Sequence, residues 1–162
     1  MHVYTDASTH NNISGLGYII TTSKHTEIGK SGIAIKQSDN NSAELSAILY
    51  AIEDVQPLLQ HNEKLIIFTD STYAITAIRR NYYRPEEKPI VKKIQNILEC
   101  TNYTLFWIKG HSHDGTVLAY YNKRADKMAK IVRKQYEQEQ KRLKKEKNKK
   151  KVIQNSNDDF TY

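Results

Sequence analysis

The chain has 162 residues, a single Cys and a formal net charge of +7, with 38% hydrophobic and 27% charged residues. That length suits one domain with a real core, and a lone Cys100 excludes an internal disulfide framework and fits a reducing compartment. No run approaches the roughly 18 apolar residues of a membrane span, and no signal-peptide pattern opens the sequence, so we expect a cytoplasmic protein without a membrane partner.

The charge is unevenly placed. Residues 133–151 hold ten Lys/Arg and three Glu, a net of +7, so the remainder of the chain balances to zero. Such a segment fits a polyanion partner such as nucleic acid. The ordinary alternative is a solvated helix end that aids solubility.

In chain order, three strands are expected first: Met1–Ser8, Gly15–Thr22 and Thr26–Ile35, joined by turns at Ala7–Asn12 and Ser23–Lys24. The loop Ser38–Ser42 is rich in helix-starting residues, and a helix then runs to about Leu59 with Leu45, Ile48, Leu49, Ile52 and Val55 on its buried stripe. The apolar run Leu65–Thr69 reads as a buried central strand. Ser71–Asn81 and Ile90–Glu99 read as helices, separated by the breaker segment Arg84–Pro89. Thr104–Ile108 is the fifth strand, and Lys109–Tyr121 reads as a polar, Gly-containing loop. A last helix is expected from near Asn122 to about residue 150, with Gln154–Tyr162 aperiodic. Hairpins first and βα crossovers afterwards imply an α/β fold, one five-stranded mixed sheet with its first three strands antiparallel and helices on its faces. We place a folded domain at residues 1–132 and a basic, partly helical, fraying tail at 133–162.

Four carboxylates stand out because their neighbours are apolar. Asp6 ends an alternating strand, Glu44 shares a helical stripe with Ile48 and Ile52, Asp70 closes the central strand, and Asp126 lies between Ala125 and Met128–Ala129. Buried carboxylates need a counter-charge or they take up protons, and four gathered together are most simply held by divalent metal ions. Singly, Asp70 before a helix could be an N-cap and Asp126 a dipole partner. Asp6 and Glu44 resist that explanation.

Five segments, in order, resemble type I ribonuclease H: Tyr4-Thr5-Asp6-Ala7-Ser8, Asn40-Asn41-Ser42-Ala43-Glu44, Thr69-Asp70-Ser71-Thr72-Tyr73, Trp107-Ile108-Lys109-Gly110-His111 and Asn122-Lys123-Arg124-Ala125-Asp126. The resemblance implies a ribonuclease H-like fold over residues 1–132. It also implies that Asp6, Glu44, Asp70 and Asp126 are catalytic ligands of two Mg²⁺ ions, with Mn²⁺ as the alternative; hard oxygen ligands suit both. It further implies His111 as the loop histidine, with His113 able to stand in, and Asn40, Asn41, Ser71 and Asn122 as substrate contacts. Amides can bond a ribose 2′-hydroxyl, and turn or capping chemistry is the plainer use of the same residues. Asp39 departs from the family's usual Thr, and Thr72 from its usual Gln. A basic insertion found in well-known bacterial members is missing after the second helix, where Arg79, Arg80, Arg84, Lys88, Lys92 and Lys93 could partly substitute.

The implied activity is an Mg²⁺-dependent endoribonuclease acting on the RNA strand of RNA–DNA hybrids and leaving 5′-phosphate and 3′-hydroxyl ends. A monomer is expected. One rival is a nucleic-acid-binding protein of the same fold with little catalysis. Another is a domain cut from a larger polyprotein such as a reverse transcriptase.

Overall fold

The computed structural model describes residues 1–158 apart from Ser38 and His113, with side chains described as far as Lys149. His113, offered above as an alternative loop histidine, therefore lies outside the described residues. Strands β1 (His2–His10), β2 (Ile13–Thr21) and β3 (Glu27–Ile35) form an antiparallel meander. The first hairpin turns on Asn11 and Asn12 alone, both at positive φ, so β1 extends two residues beyond the expected Ser8. Paired positive φ values give the turn whose twist matches the strands, and Asn tolerates them. Helix α1 (Asn40–Val55), strand β4 (Leu65–Thr69), helices α2 (Thr72–Arg80) and α3 (Lys88–Glu99), strand β5 (Tyr103–Trp107) and helix α4 (Val117–Asp158) follow. The sheet order is β3-β2-β1-β4-β5, with β4 parallel to both β1 and β5.

The sheet is covered on both faces. Leu45, Ile48 and Ile52 of α1, Ile94 and Leu98 of α3, and Val3, Ile67 and Leu105 of the strands make one core. Each fully buried side chain of this size contributes about 1.5–3 kcal/mol. On the other face α4 packs Tyr121 and Ala125 against Tyr4, Ile19, Phe68 and Ile108. Helix and sheet approach closely there because Gly15 and Gly17 of β2 leave no Cβ, which would collide with the Ala129 and Ala125 carbonyls.

Two expectations are corrected. Helix α4 begins at Val117 rather than near Asn122, so Val117–Tyr121 is helix and not loop. The Thr116 hydroxyl accepts from the Ala119 N–H as an N-cap does, and Leu118 and Tyr121 reach the Tyr4–Phe68 cluster, which rewards early helix formation. The same helix continues through residues 154–158, where no regular structure was expected. It is uninterrupted at residue 132 and touches the body as far as Glu137, which bonds His10 at the end of β1.

Candidate active site

The parallel pairing of β1 with β4 sets Asp6 beside the C-terminal end of β4, where Asp70 follows Thr69. Helix α1 brings Glu44 onto the same point from one face. Asp6, Glu44 and Asp70 each offer a carboxylate oxygen, and the three oxygens lie within 4.8 Å of one another. Asp6 and Glu44 are buried and Asp70 is half-buried.

The cap explanation for Asp70 fails, since the α2 N-cap is Ser71, whose hydroxyl accepts from the Ala74 N–H. Ser71, expected as a substrate contact, thus already has one structural use. Gly110 lies so close to Asp70 that a Cβ there would overlap the carboxylate, and the Trp107 indole donates to the Asp70 carbonyl at 3.1 Å. Neither contact was foreseen from the sequence.

Electrostatically the cluster is frustrated. Burial, followed by the charges of Asp70 and Asp126, pushes the Asp6 carboxyl up to about 8. Burial, and then Asp6 and Asp70, raise the Glu44 carboxyl well above the usual range. Among the described residues, the Ala7 N–H is the one backbone donor bonded to both, and Glu44 Oε2 has no partner. A buried, unpaired carboxylate oxygen among other carboxylates is the donor set a hard divalent cation satisfies.

Asp126 stands apart from the three-oxygen cluster although its charge acts on Asp6. It lies in the third turn of α4, too deep for a dipole role at the helix start, and pairs with Lys130 at 2.7 Å. The i,i+4 spacing of Asp126 and Lys130 is itself legible in the sequence.

His111, exposed and at φ +51°, lines a crevice of about 70 Å³ with Asn122, Lys123 and Asp126. The loop therefore brings it beside the fourth acid. Asn122 is buried inside α4 rather than capping it, and its Oδ1 has no partner among the described residues. Asn40 and Asn41 are exposed in the first turn of α1, and the cap of that helix is Asp39, which accepts from the Ser42 N–H. Capping therefore does not explain either amide.

The cations offered as substitutes for the basic insertion are partly spent. Arg84 grips Asp39 through both terminal nitrogens, at 3.2 and 2.5 Å, and also bonds Ser42 and the buried Glu87. Arg79 donates to the Leu105 carbonyl and Lys93 pairs with Glu53. Among the described residues, Arg80 and Lys88 are exposed without an ion pair.

Comparisons with known proteins agree with this geometry. The RNase H family model matches residues 1–134. Comparison with curated protein sequences returns no match. Among solved structures, LC11 RNase H1, isolated from compost by a metagenomic approach, is 24% identical with a TM-score of 0.70, covering 83% of this chain and 96% of that one. The same enzyme in complex with an RNA/DNA hybrid gives 22% identity and a TM-score of 0.71 over 83% and 97% of the two chains. The N-terminal RNase H domain of a Mycobacterium tuberculosis protein gives 18% and 0.70 over 85% and 96%. A family match over most of the chain, on a sheet of the same order with acids converging at its centre, means that the chain belongs to the RNase H family.

Proposed function

We propose that this ribonuclease H hydrolyses the RNA strand of RNA–DNA hybrids by two-metal catalysis, leaving 5′-phosphate and 3′-hydroxyl ends. The observation that carries the reading is the partnerless Glu44 oxygen within the Asp6–Glu44–Asp70 cluster, together with the family match. Asp6, Glu44 and Asp70 would hold the ions, with Asp126 joining once Lys130 releases it. When bound, Mg²⁺ or Mn²⁺ supplies water activation and charge stabilisation on both sides of an in-line displacement.

The chain's own residues do the rest. The Ala7 N–H bonds one oxygen each of Asp6 and Glu44 and so ties the two carboxyls to one point of β1. His111 stands beside Asp126 in an open crevice, where it can take or give a proton at an imidazole nitrogen. Exposed Asn40 and Asn41 offer amides to a minor groove, where a 2′-hydroxyl marks the RNA strand. A solved relative is held with an RNA/DNA hybrid, which supports the substrate class.

The test is direct. Labelled RNA–DNA hybrid, duplex DNA and duplex RNA are incubated with the protein with and without Mg²⁺. Cleavage of the hybrid's RNA strand alone, and only with the ion, is expected. Tight hybrid binding without cleavage would instead establish the binding-only alternative.

A further inference from the structure

Helix α4 leaves the body at the end of β1 that follows Asp6. It runs in the direction of β1: Tyr121 bonds the His25 carbonyl in the turn before β3, Arg133 bonds Ser8 and Glu137 bonds His10. Asp126 therefore sits beside Asp6, and the helix continues past the C-terminal ends of β1 and β4. The body ends at the Asn11–Asn12 turn. Beyond it, every residue from Lys141 to Lys149 is exposed.

This projecting segment has no apolar stripe to pack. Residues 141–149 carry Lys141, Arg142, Lys144, Lys145, Lys147 and Lys149 against Glu146 alone. Arg142 pairs with Glu139 and Glu146, and among the described residues the five lysines make no ion pair. Like charges three and four apart, as in Lys141–Lys144–Lys145 and Lys145–Lys149, repel one another. The helix holds nonetheless because the packed half of α4 has already met the cost of nucleation. A polyanion laid along it would remove the repulsion.

We propose that the projecting half of α4 is a second phosphate-binding surface that grips the same nucleic acid whose scissile phosphate lies at the acid cluster. The inference rests on the hybrid-cleaving reading above. At 1.5 Å per residue, Lys141 lies about 22 Å and Lys149 about 34 Å along the helix from Asp126. A duplex centred on the site reaches that far only if it extends about seven to ten base pairs to one side, at about 3.4 Å per pair. The grip therefore depends on substrate length.

The test replaces Lys144, Lys145, Lys147 and Lys149 by Gln in the full chain, which keeps helix-forming side chains and touches nothing in the packed body. Affinity for a hybrid of about 24 base pairs is measured in EDTA across a salt series. With each phosphate contact worth about 0.7–0.9 in slope, the variant should lose about three from the slope of log affinity against log salt. In Mg²⁺, the KM for that hybrid should rise several-fold with kcat unchanged, because such contacts hold substrate and transition state alike. The KM for a hybrid of about six base pairs, whose full length of about 20 Å at about 3.4 Å per pair falls short of Lys141 wherever it is cleaved, should not move. Equal slopes for the two proteins would overturn the proposal, as would an equal rise in KM on both hybrids. Wild-type binding to phosphatidylserine-containing vesicles, with no slope difference on the hybrid, would reassign the arm to a membrane surface and overturn it too. If neither protein cleaves any hybrid, the catalytic reading fails while the slopes still decide the arm.

Discussion

Asp6 and Glu44 share one backbone donor: the Ala7 N–H reaches Asp6 Oδ1 at 2.7 Å and Glu44 Oε1 at 3.2 Å. A strand residue and a helix residue are thereby tied at a point where both carboxyls resist ionisation. The protein has folded around carboxyls that burial and one another's charge keep from ionising, and consequences follow for pH, metal and mutation.

Without metal, stability should fall as pH rises. The Asp6 carboxyl moves from an ordinary 3.8 to about 8 on folding, and Glu44 moves in the same direction. The folded state therefore binds more protons than the unfolded state between these values. The stabilising contribution is complete below about pH 4 and is lost as pH climbs through about 8. In EDTA we expect Tm to drop by on the order of 5 °C across that window. Asp6→Asn should flatten the profile, and Mg²⁺ should raise Tm more at the alkaline end. A wild-type profile that Asp6→Asn merely parallels would contradict the assignment.

Asp70 and His111 should separate by severity. Asp70→Asn keeps shape and removes a ligand charge, so hybrid cleavage should drop by at least about a hundredfold, as for other lost transition-state contacts, with binding in EDTA retained. His111→Asn suits the φ of +51° at that position and should cost at most about a hundredfold, the low end for acid–base groups. Single-turnover rates on one labelled hybrid measure both. A more damaging change at His111 than at Asp70 would place the chemistry in the loop.

The approach of α4 to the sheet should tolerate no side chain at Gly15 or Gly17. A Cβ at either would meet helix backbone, which cannot swing aside. Gly29→Ala is the control, since its Cβ would lie an ordinary 3.5 Å from Ile20 Cδ1. Gly15→Ala and Gly17→Ala should each lower the urea midpoint as overpacked core variants do, by about 1–3 kcal/mol in stability. Gly29→Ala should stay within about 0.5 kcal/mol of wild type.

Glu87 should matter to stability and not to chemistry. Burial would raise its carboxyl, but hydrogen bonds from Arg84, Tyr73, the Arg84 backbone and Ser42 outweigh burial and hold it at about 2. Its contribution is present above the ordinary 4.5 and is lost as pH falls toward 2. Glu87→Gln should therefore weaken the acid limb of the Tm profile. Arg84→Met should cost more, because it strands a buried carboxylate without its counter-charge. The double variant should lose less than the two single losses combined, since both remove the same pair.

The linear order of strands and helices was readable because alternation and 3.6-residue stripes are local. Leu65–Thr69 and the Leu45–Ile52 stripe appear in the structure where their patterns put them. The four acids were visible as carboxylates among apolar neighbours, and their motif order pointed to the family. Which of them converge depended on the sheet. Asp6 and Asp70 meet only because β4 pairs parallel with β1, while Asp126 lies outside the three-oxygen cluster and pairs with Lys130 on its own helix. The early start of α4 escaped the sequence because Leu118 and Tyr121 find their partners in strands far back along the chain. Likewise, Arg84 looked like a free cation until folding set it against Asp39, 45 residues earlier. Local patterns record what each segment buries. The tertiary structure decides which charges meet, because Coulombic and hydrogen-bonding partners come from segments that no short-range period connects.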